Sequence, residues 1–307
     1  MKLLVTGATG VVGVRAIPLL VGAGYAVTGL ARSPEKSAQL RDLGAEALNA
    51  DLFDKDAVRR AVTGFNGIIN LATHMPSMGL SMVFAGAWKE NDRIRKEASA
   101  HLVAAAIEGG ASLFVQESFA PVYPDCGRQW IGEQVAIRPV RYNRTVADAE
   151  HHARQFEGPG RTAIILRFGS FYGPDAAQMK IMIDAARAGF AVLPGAPDAY
   201  VSPLSHDDAA SAVAAVLEAP SGTYNVVDDE PLTHREFFDS LARALGVRPP
   251  KILPQWTTFL FGSLGEMFAR SQRISNHKLR AATGWEPRYP SVRDGWPAML
   301  REMQLRH

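Results

Sequence analysis

Eight residues near the start of the chain, Thr6-Gly7-Ala8-Thr9-Gly10-Val11-Val12-Gly13, constrain its fold more than any other feature of the sequence. They follow a short apolar run over residues 2–6, which reads as a strand, and open an amphipathic stretch from Val11 to Val21. A strand that turns through spaced glycines directly into a helix is the start of a βαβ unit. Gly7 permits the tight turn, Gly10 lets backbone approach a ligand closely, and Gly13 lets helix and strand pack against each other. The free N–H groups and the dipole of the helix start then converge on one spot suited to a diphosphate. The spacing predicts a dinucleotide site built from Thr6, Gly7, Thr9, Gly10, Val11, Val12 and Gly13.

The alternation begun there continues. Strands are expected at Tyr25–Ala31, Ala45–Leu48, Gly67–Leu71, Ser112–Gln116, Arg161–Arg167 and Thr223–Val227. Helices are expected at Pro34–Leu43, Asp54–Thr63, about 89–109, about 142–157, about 175–188, Ser205–Glu218 and Thr233–Leu245. Short β-branched runs separated by helices imply an α/β fold: a Rossmann-type, doubly wound parallel sheet with a smaller C-terminal substrate-binding subdomain. We place the dinucleotide-binding domain at residues 1–170 with 206–228, and the substrate part at 171–205 with 229–307. An aromatic-rich helix near 256–269 carries Glu266 and Arg270, and is read as a cover over the substrate side rather than a membrane-surface helix.

A chain of 307 residues suffices for that plan, and 47% apolar with 21% charged residues is the ordinary globular balance. A net charge of +2, with Lys and Arg scattered, gives no case for nucleic acid or an anionic membrane. No apolar run reaches the roughly 18–20 residues of a membrane span. The apolar N-terminus runs straight into the glycine motif, so it is read as a strand and not as a signal peptide. With Cys126 as the single cysteine, a reducing, cytoplasmic setting is expected. No His, Asp or Glu grouping has metal-ligand spacing, so no metal is expected.

The second strand ends at Ala31-Arg32-Ser33. An NAD-selective site carries an acid about 20 residues past the glycines to hold the ribose hydroxyls. Arg32 stands there instead, 32 − 13 = 19 residues past Gly13, and no acid follows until Glu35. A guanidinium at that place pairs with a 2′-phosphate, and Ser33 adds a hydroxyl donor, which points to NADP over NAD.

Thr6–Gly13 resembles the TGxxGxxG signature of the extended short-chain dehydrogenase/reductases, the group that includes nucleotide-sugar epimerases and dehydratases. The likeness runs through Asp51-Leu52, Asn70-Leu71-Ala72, Arg167-Phe168-Gly169-Ser170-Phe171-Tyr172-Gly173-Pro174, Ser205-His206-Asp207-Asp208-Ala209, Gly222-Thr223-Tyr224-Asn225-Val226 and Gly284-Trp285-Glu286-Pro287, in the family's order. The resemblance implies that Asp51 and Leu52 meet adenine and that Leu71, Ala72 and Phe168 line the cofactor. It also implies a catalytic Ser, Tyr and Lys, the last two four apart on one helix. Ser118 and Tyr142, 142 − 118 = 24 residues apart, match the first two, but Val146 occupies the lysine position. Asn91 and Asp92 lie near the start of the preceding long helix, out of register with the family's site asparagine, and His74 is a minor candidate after the fourth strand. Such losses resemble the atypical members of the superfamily. The resemblance allows a homodimer through the helices before Ser118 and around Tyr142.

Two functions follow from the resemblance. One is an NADP-dependent oxidoreductase or epimerase acting on a small hydroxyl- or carbonyl-bearing metabolite, with Tyr142 moving the proton and Ser118 orienting the substrate. The other is a non-catalytic NADP-sensing regulator of NmrA-like type, which the missing lysine favours.

Overall fold

The computed structural model describes the chain except residues 77–84, 193–194 and 306–307. Seven strands, β1 (Lys2–Thr6), β2 (Ala26–Leu30), β3 (Glu46–Leu48), β4 (Gly67–Asn70), β5 (Leu113–Phe119), β6 (Thr162–Phe168) and β7 (Gly222–Val226), form one sheet. Their order is β7-β6-β5-β4-β1-β2-β3 and every pairing is parallel. The order reverses between β1 and β4. At such a switch point the connections leave to opposite faces and open a crevice above the strand ends.

Among the described residues twelve helices surround or extend the sheet: α1 (Gly13–Gly22), α2 (Pro34–Asp42), α3 (Lys55–Val62), α4 (Lys89–Arg93), α5 (Ser99–Glu108), α6 (Val146–Phe156), α7 (Ala177–Arg187), α8 (His206–Ala215), α9 (His234–Leu245), α10 (Gly262–Ala269), α11 (His277–Thr283) and α12 (Val292–Leu305). The period of two along each strand sends alternate side chains to opposite layers. Leu3, Val5, Val115 and Leu166 pack with Ile17 and Leu20 of α1 and Val213 of α8. Leu4, Ile68, Phe114 and Ile165 pack on the other face with Val58, Leu102 and Phe156 from α3, α5 and α6. Each such buried side chain contributes about 1.5–3 kcal/mol. A separate cluster joins α7, α9 and α12 around Phe238, Leu241 and Trp296.

Beneath the crevice a polar ladder crosses three strands. Thr6 Oγ1 donates to Asn70 Oδ1 at 2.5 Å, and Asn70 Nδ2 donates to Gln116 Oε1 at 2.9 Å and Ser99 Oγ at 3.3 Å. Thr6, Asn70 and Gln116 are also direct neighbours in register, so the three side chains stand in one row.

Three elements differ from the sequence expectation in ways that matter for the site. β5 runs on to Phe119 rather than ending at Gln116. The helix expected over 89–109 is broken by a π-helical turn, Ile94–Ala98, between α4 and α5. The helix expected from 142 begins as a 3-10 turn, Arg141–Asn143, and α6 starts only at the buried Val146. Ser205 caps α8, its hydroxyl accepting from the Asp208 amide at 2.9 Å. Asp207 meets Arg15 of α1 at 2.8 Å.

Candidate active site

The glycine turn forms the floor of a cleft of about 370 Å³. Gly7, Gly10, Val11, Val12, Gly13, Leu71 and Phe168 line it together with Thr73, Glu117 and Phe171. Gly7 has a φ of +64°, and a Cβ on it would strike the Leu71 carbonyl. A Cβ on Gly13 would press on the Ala8 carbonyl at 2.6 Å. Gly10 differs: its Cβ direction meets only the Gly7 carbonyl, at 3.1 Å, and otherwise opens outward. Two glycines therefore serve close packing and the middle one leaves backbone exposed to a ligand. This cradle fits the diphosphate of a dinucleotide. Thr9 is half-buried on the same turn, and Ala72 is buried, its amide donating to Asn70 Oδ1 at 3.3 Å. The Thr6 side chain lies in the ladder below the floor and contributes only backbone above it.

Ser118 does not face the cleft. Because β5 continues through it, strand alternation turns its side chain toward α6, where it is 1% exposed and donates to Glu150 Oε1 at 2.7 Å. Arg167 brackets the same carboxylate with two bonds of 2.7 Å, and Arg154 adds a third. Arg167 also donates to the Tyr123 hydroxyl, which donates to Asn225 Oδ1 at 2.8 Å. Burial alone would raise the Glu150 carboxyl, but the bonds from Arg167, Ser118 and Arg154 hold it below the ordinary glutamate range. The expected substrate-orienting serine is a member of this buried network.

The residue on the other side of the strand, Glu117, takes the cleft-facing place. Its Oε1 lies 3.6 Å from Arg95 Nη2, and its Oε2 is buried without a hydrogen-bond partner among the described residues. Burial raises this carboxyl; Arg95 opposes the rise and Glu150 adds to it. Arg95 is carried inward by the π-helical turn. The Tyr142 ring stands edge-on to Trp88, with centroids 4.4 Å apart, and to Phe119 at 6.5 Å. Burial pushes its hydroxyl well above the usual phenol range; Arg95 pulls it down and Glu117 pushes it further up. Sequence reading missed Glu117 and Arg95. Extending β5 by three residues and applying strand alternation would have exposed the first; a π-turn leaves no comparable mark on the sequence.

The outer residues lie along the strand ends. Arg32 follows β2 with its side chain 71% exposed, 3.8 Å from Glu90. The Ser33 hydroxyl accepts from the Lys36 amide at the start of α2. Asp51 accepts from the Phe53 amide at 2.9 Å, and the Leu52 carbonyl lies 3.1 Å from His101 Nδ1. His74 also approaches Glu90 at 3.8 Å, and its amide donates to the buried Asn91, whose Nδ2 lacks a partner among the described residues. Asp92 is held by the Thr145 hydroxyl at 2.8 Å, away from any free role. No group of three His, Cys, Asp or Glu side chains among the described residues is arranged to hold a metal, and no described helix is long and apolar enough to cross a membrane.

Residues 3–227 match the NAD dependent epimerase/dehydratase family. The chain belongs to that family. Its members bind NAD(P) and small-molecule substrates. A family relative from Streptomyces, 3-diazoavenalumate denitrifying reductase, is 30% identical over 304 residues, spanning 96% of this chain and 99% of its own. The same architecture appears in the human epimerase family protein SDR39U1 with NADPH, with a TM-score of 0.83 and 21% identity over 98% of this chain and 99% of that one. The Thermus thermophilus UDP-glucose 4-epimerase complex with NAD superposes with a TM-score of 0.78 at 23% identity, over 99% of each chain.

Proposed function

We propose that this protein is an NADPH-dependent reductase acting on a small carbonyl-bearing or comparably electrophilic metabolite, with Tyr142 as the proton donor. The observation that carries the reading is the enclosure of Tyr142 by Trp88 and Phe119, with Val146 where the resemblance calls for lysine. A tyrosine acts as a base only if its phenol ionises near neutrality, and burial opposes that. As a donor it needs no ionisation beforehand. Redox-neutral epimerisation begins with oxidation of a substrate alcohol, which needs the base; reduction needs the acid.

When bound, a nicotinamide cofactor would supply hydride chemistry at the acceptor carbon. The glycine cradle would hold its diphosphate, and Arg32 beside Ser33 would take a 2′-phosphate, which supports NADP over NAD. Leu71, Ala72 and Phe168 would wall the cofactor, with Asp51 and Leu52 at the adenine end. Tyr142 Oη would pass its proton to the acceptor oxygen, and solvent would restore the phenol. Ser118 supports the sheet end from below in this scheme. The Streptomyces relative is itself named a reductase, in keeping with this direction of chemistry.

The test is NADPH oxidation across a panel of aromatic and aliphatic carbonyl compounds, repeated with Tyr142→Phe. We expect turnover with part of the panel and a loss of roughly 100-fold or more in the variant, the usual scale for a general acid. Tight NADPH binding with no turnover anywhere would favour the NADP-sensing alternative, which the absence of lysine also suits. Robust activity untouched by Tyr142→Phe would assign the proton to another group.

A further inference from the structure

We propose that Arg95 and Glu117 form the charge pair that poises Tyr142, with Arg95 standing in for the lysine absent at position 146 and Glu117 masking it. The pair is a positioning device acting through Tyr142, and the proposal rests on Tyr142 being the proton donor.

Four observations converge on it. Arg95 faces inward from a π-turn at Ile94–Ala98, a deformation frequent at functional positions. Its side chain is only 5% exposed and its partner Glu117 only 12%, so the two charges meet in a poorly solvated place. Their separation of 3.6 Å is longer than a tight charged hydrogen bond, and Glu117 Oε2 is left with no described partner. A purely structural pair has reason to close up; this one leaves a buried carboxylate oxygen without a hydrogen bond among the described residues. Finally, Glu117 and Phe119 alternate onto the same face of β5 and Phe119 stands edge-on to the Tyr142 ring, which puts Glu117 on the Tyr142 side of the strand, where it and Arg95 bear on the phenol with opposite signs.

The environment of the pair is otherwise quiet. Glu117 is faced by Arg95 from the π-turn and by Glu150 from α6, and Glu150 is itself neutralised by Arg167 and Arg154. Asp92 is tied to Thr145. The local field on the phenol is therefore set by one cation and one anion. While Glu117 is ionised it cancels Arg95, and the phenol remains a reluctant acid. A protonated Glu117 uncovers Arg95 and makes Tyr142 a better donor. The lysine of the resembling family is a constant cation. The pair seen here is one whose effect depends on the charge of Glu117.

A direct titration of the phenol in the ligand-free protein tests this. Trifluorotyrosine in place of Tyr142 titrates at lower pH than tyrosine, and its fluorine signal reports its charge without substrate or cofactor. Glu117→Gln, nearly isosteric, should lower the midpoint by about one pH unit or more, because it removes an anion and uncovers a cation. Adding Arg95→Met should bring the midpoint back up by a similar amount, whereas adding Arg95→Lys should leave it low. A Glu117→Gln midpoint within about 0.3 pH unit of the parent, small against such shifts, would overturn the proposal even if the Arg95 variants do not fold. So would a double variant with Arg95→Met that folds and stays as low as Glu117→Gln alone. Absence of turnover in the parent protein would instead count against the reductase reading and leave this titration intact.

Discussion

Ser118→Ala separates a reaction-facing serine from a structural one. The hydroxyl donates at 2.7 Å to a carboxylate that also receives Arg167 and Arg154. A hydrogen bond to a charged group contributes about 1.5–3 kcal/mol. Glu150 Oε1 keeps its bond from Arg167 Nε in the variant, so the lower part of that range applies, about 1.5–2 kcal/mol. With an unfolding entropy near 2.1 cal/mol/K per residue, a chain of 307 residues loses about 2–3 °C in Tm. The loss should depend on pH. The native carboxyl of Glu150 is held below its unfolded value, so its contribution is complete above the unfolded pKa of about 4.3 and fades as pH falls through the lower native value. Removing Ser118 raises that native value. Denaturant melts should therefore show a constant deficit between about pH 5 and 8 that shrinks below about pH 4. NADPH turnover, once a substrate is found, should stay within about twofold of the parent, against the 10²–10⁴-fold of a lost acid–base group. An unchanged melt with turnover reduced by about 100-fold would refute the reasoning and put the hydroxyl on the substrate.

Gly10→Val should leave the melt nearly intact while abolishing NADPH binding by calorimetry, because its side chain projects from the cradle floor; retained affinity would place the diphosphate elsewhere. Arg32→Ala should cost about 1–3 kcal/mol of NADPH affinity and leave NADH affinity unchanged; equal affinities of the parent for both would end the 2′-phosphate assignment. Val146→Lys should lower stability by about 2 kcal/mol or more in thermal melts, since Val146 is 1% exposed and an ammonium there must shed its water. A fully stable Val146→Lys protein would mean that the site has room for the family's lysine after all.

The sheet was legible because its signals are local: a glycine turn after an apolar run, then repeated strand and helix periods, survive in the sequence whatever the packing. The crevice floor was legible for the same reason, since Gly7, Gly10 and Gly13 act through backbone geometry that the spacing specifies. The reacting end was harder to read. Whether Ser118 or Glu117 meets the cleft depends on where β5 stops, and a difference of three residues reverses the answer. Tyr142 and Val146 read as one turn of one helix, yet Tyr142 sits in a 3-10 turn ahead of the start of α6. Arg95 enters through a π-turn, where one helical residue more per turn redirects a side chain without any change in composition.

The row formed by Thr6, Asn70, Gln116 and Ser99 has a consequence for anyone who would alter this protein. It locks three neighbouring strands at one height, immediately below the loops that bear Gly7 and Leu71 and the strand end that bears Glu117. The upper storey can then be rebuilt, by loop exchange or by shuffling substrate-side segments, while the mounting plate stays level. The four residues should be treated as a single indivisible part: transplanted together they carry the geometry of the crevice with them, and replaced one at a time they leave a buried amide or hydroxyl without its neighbour.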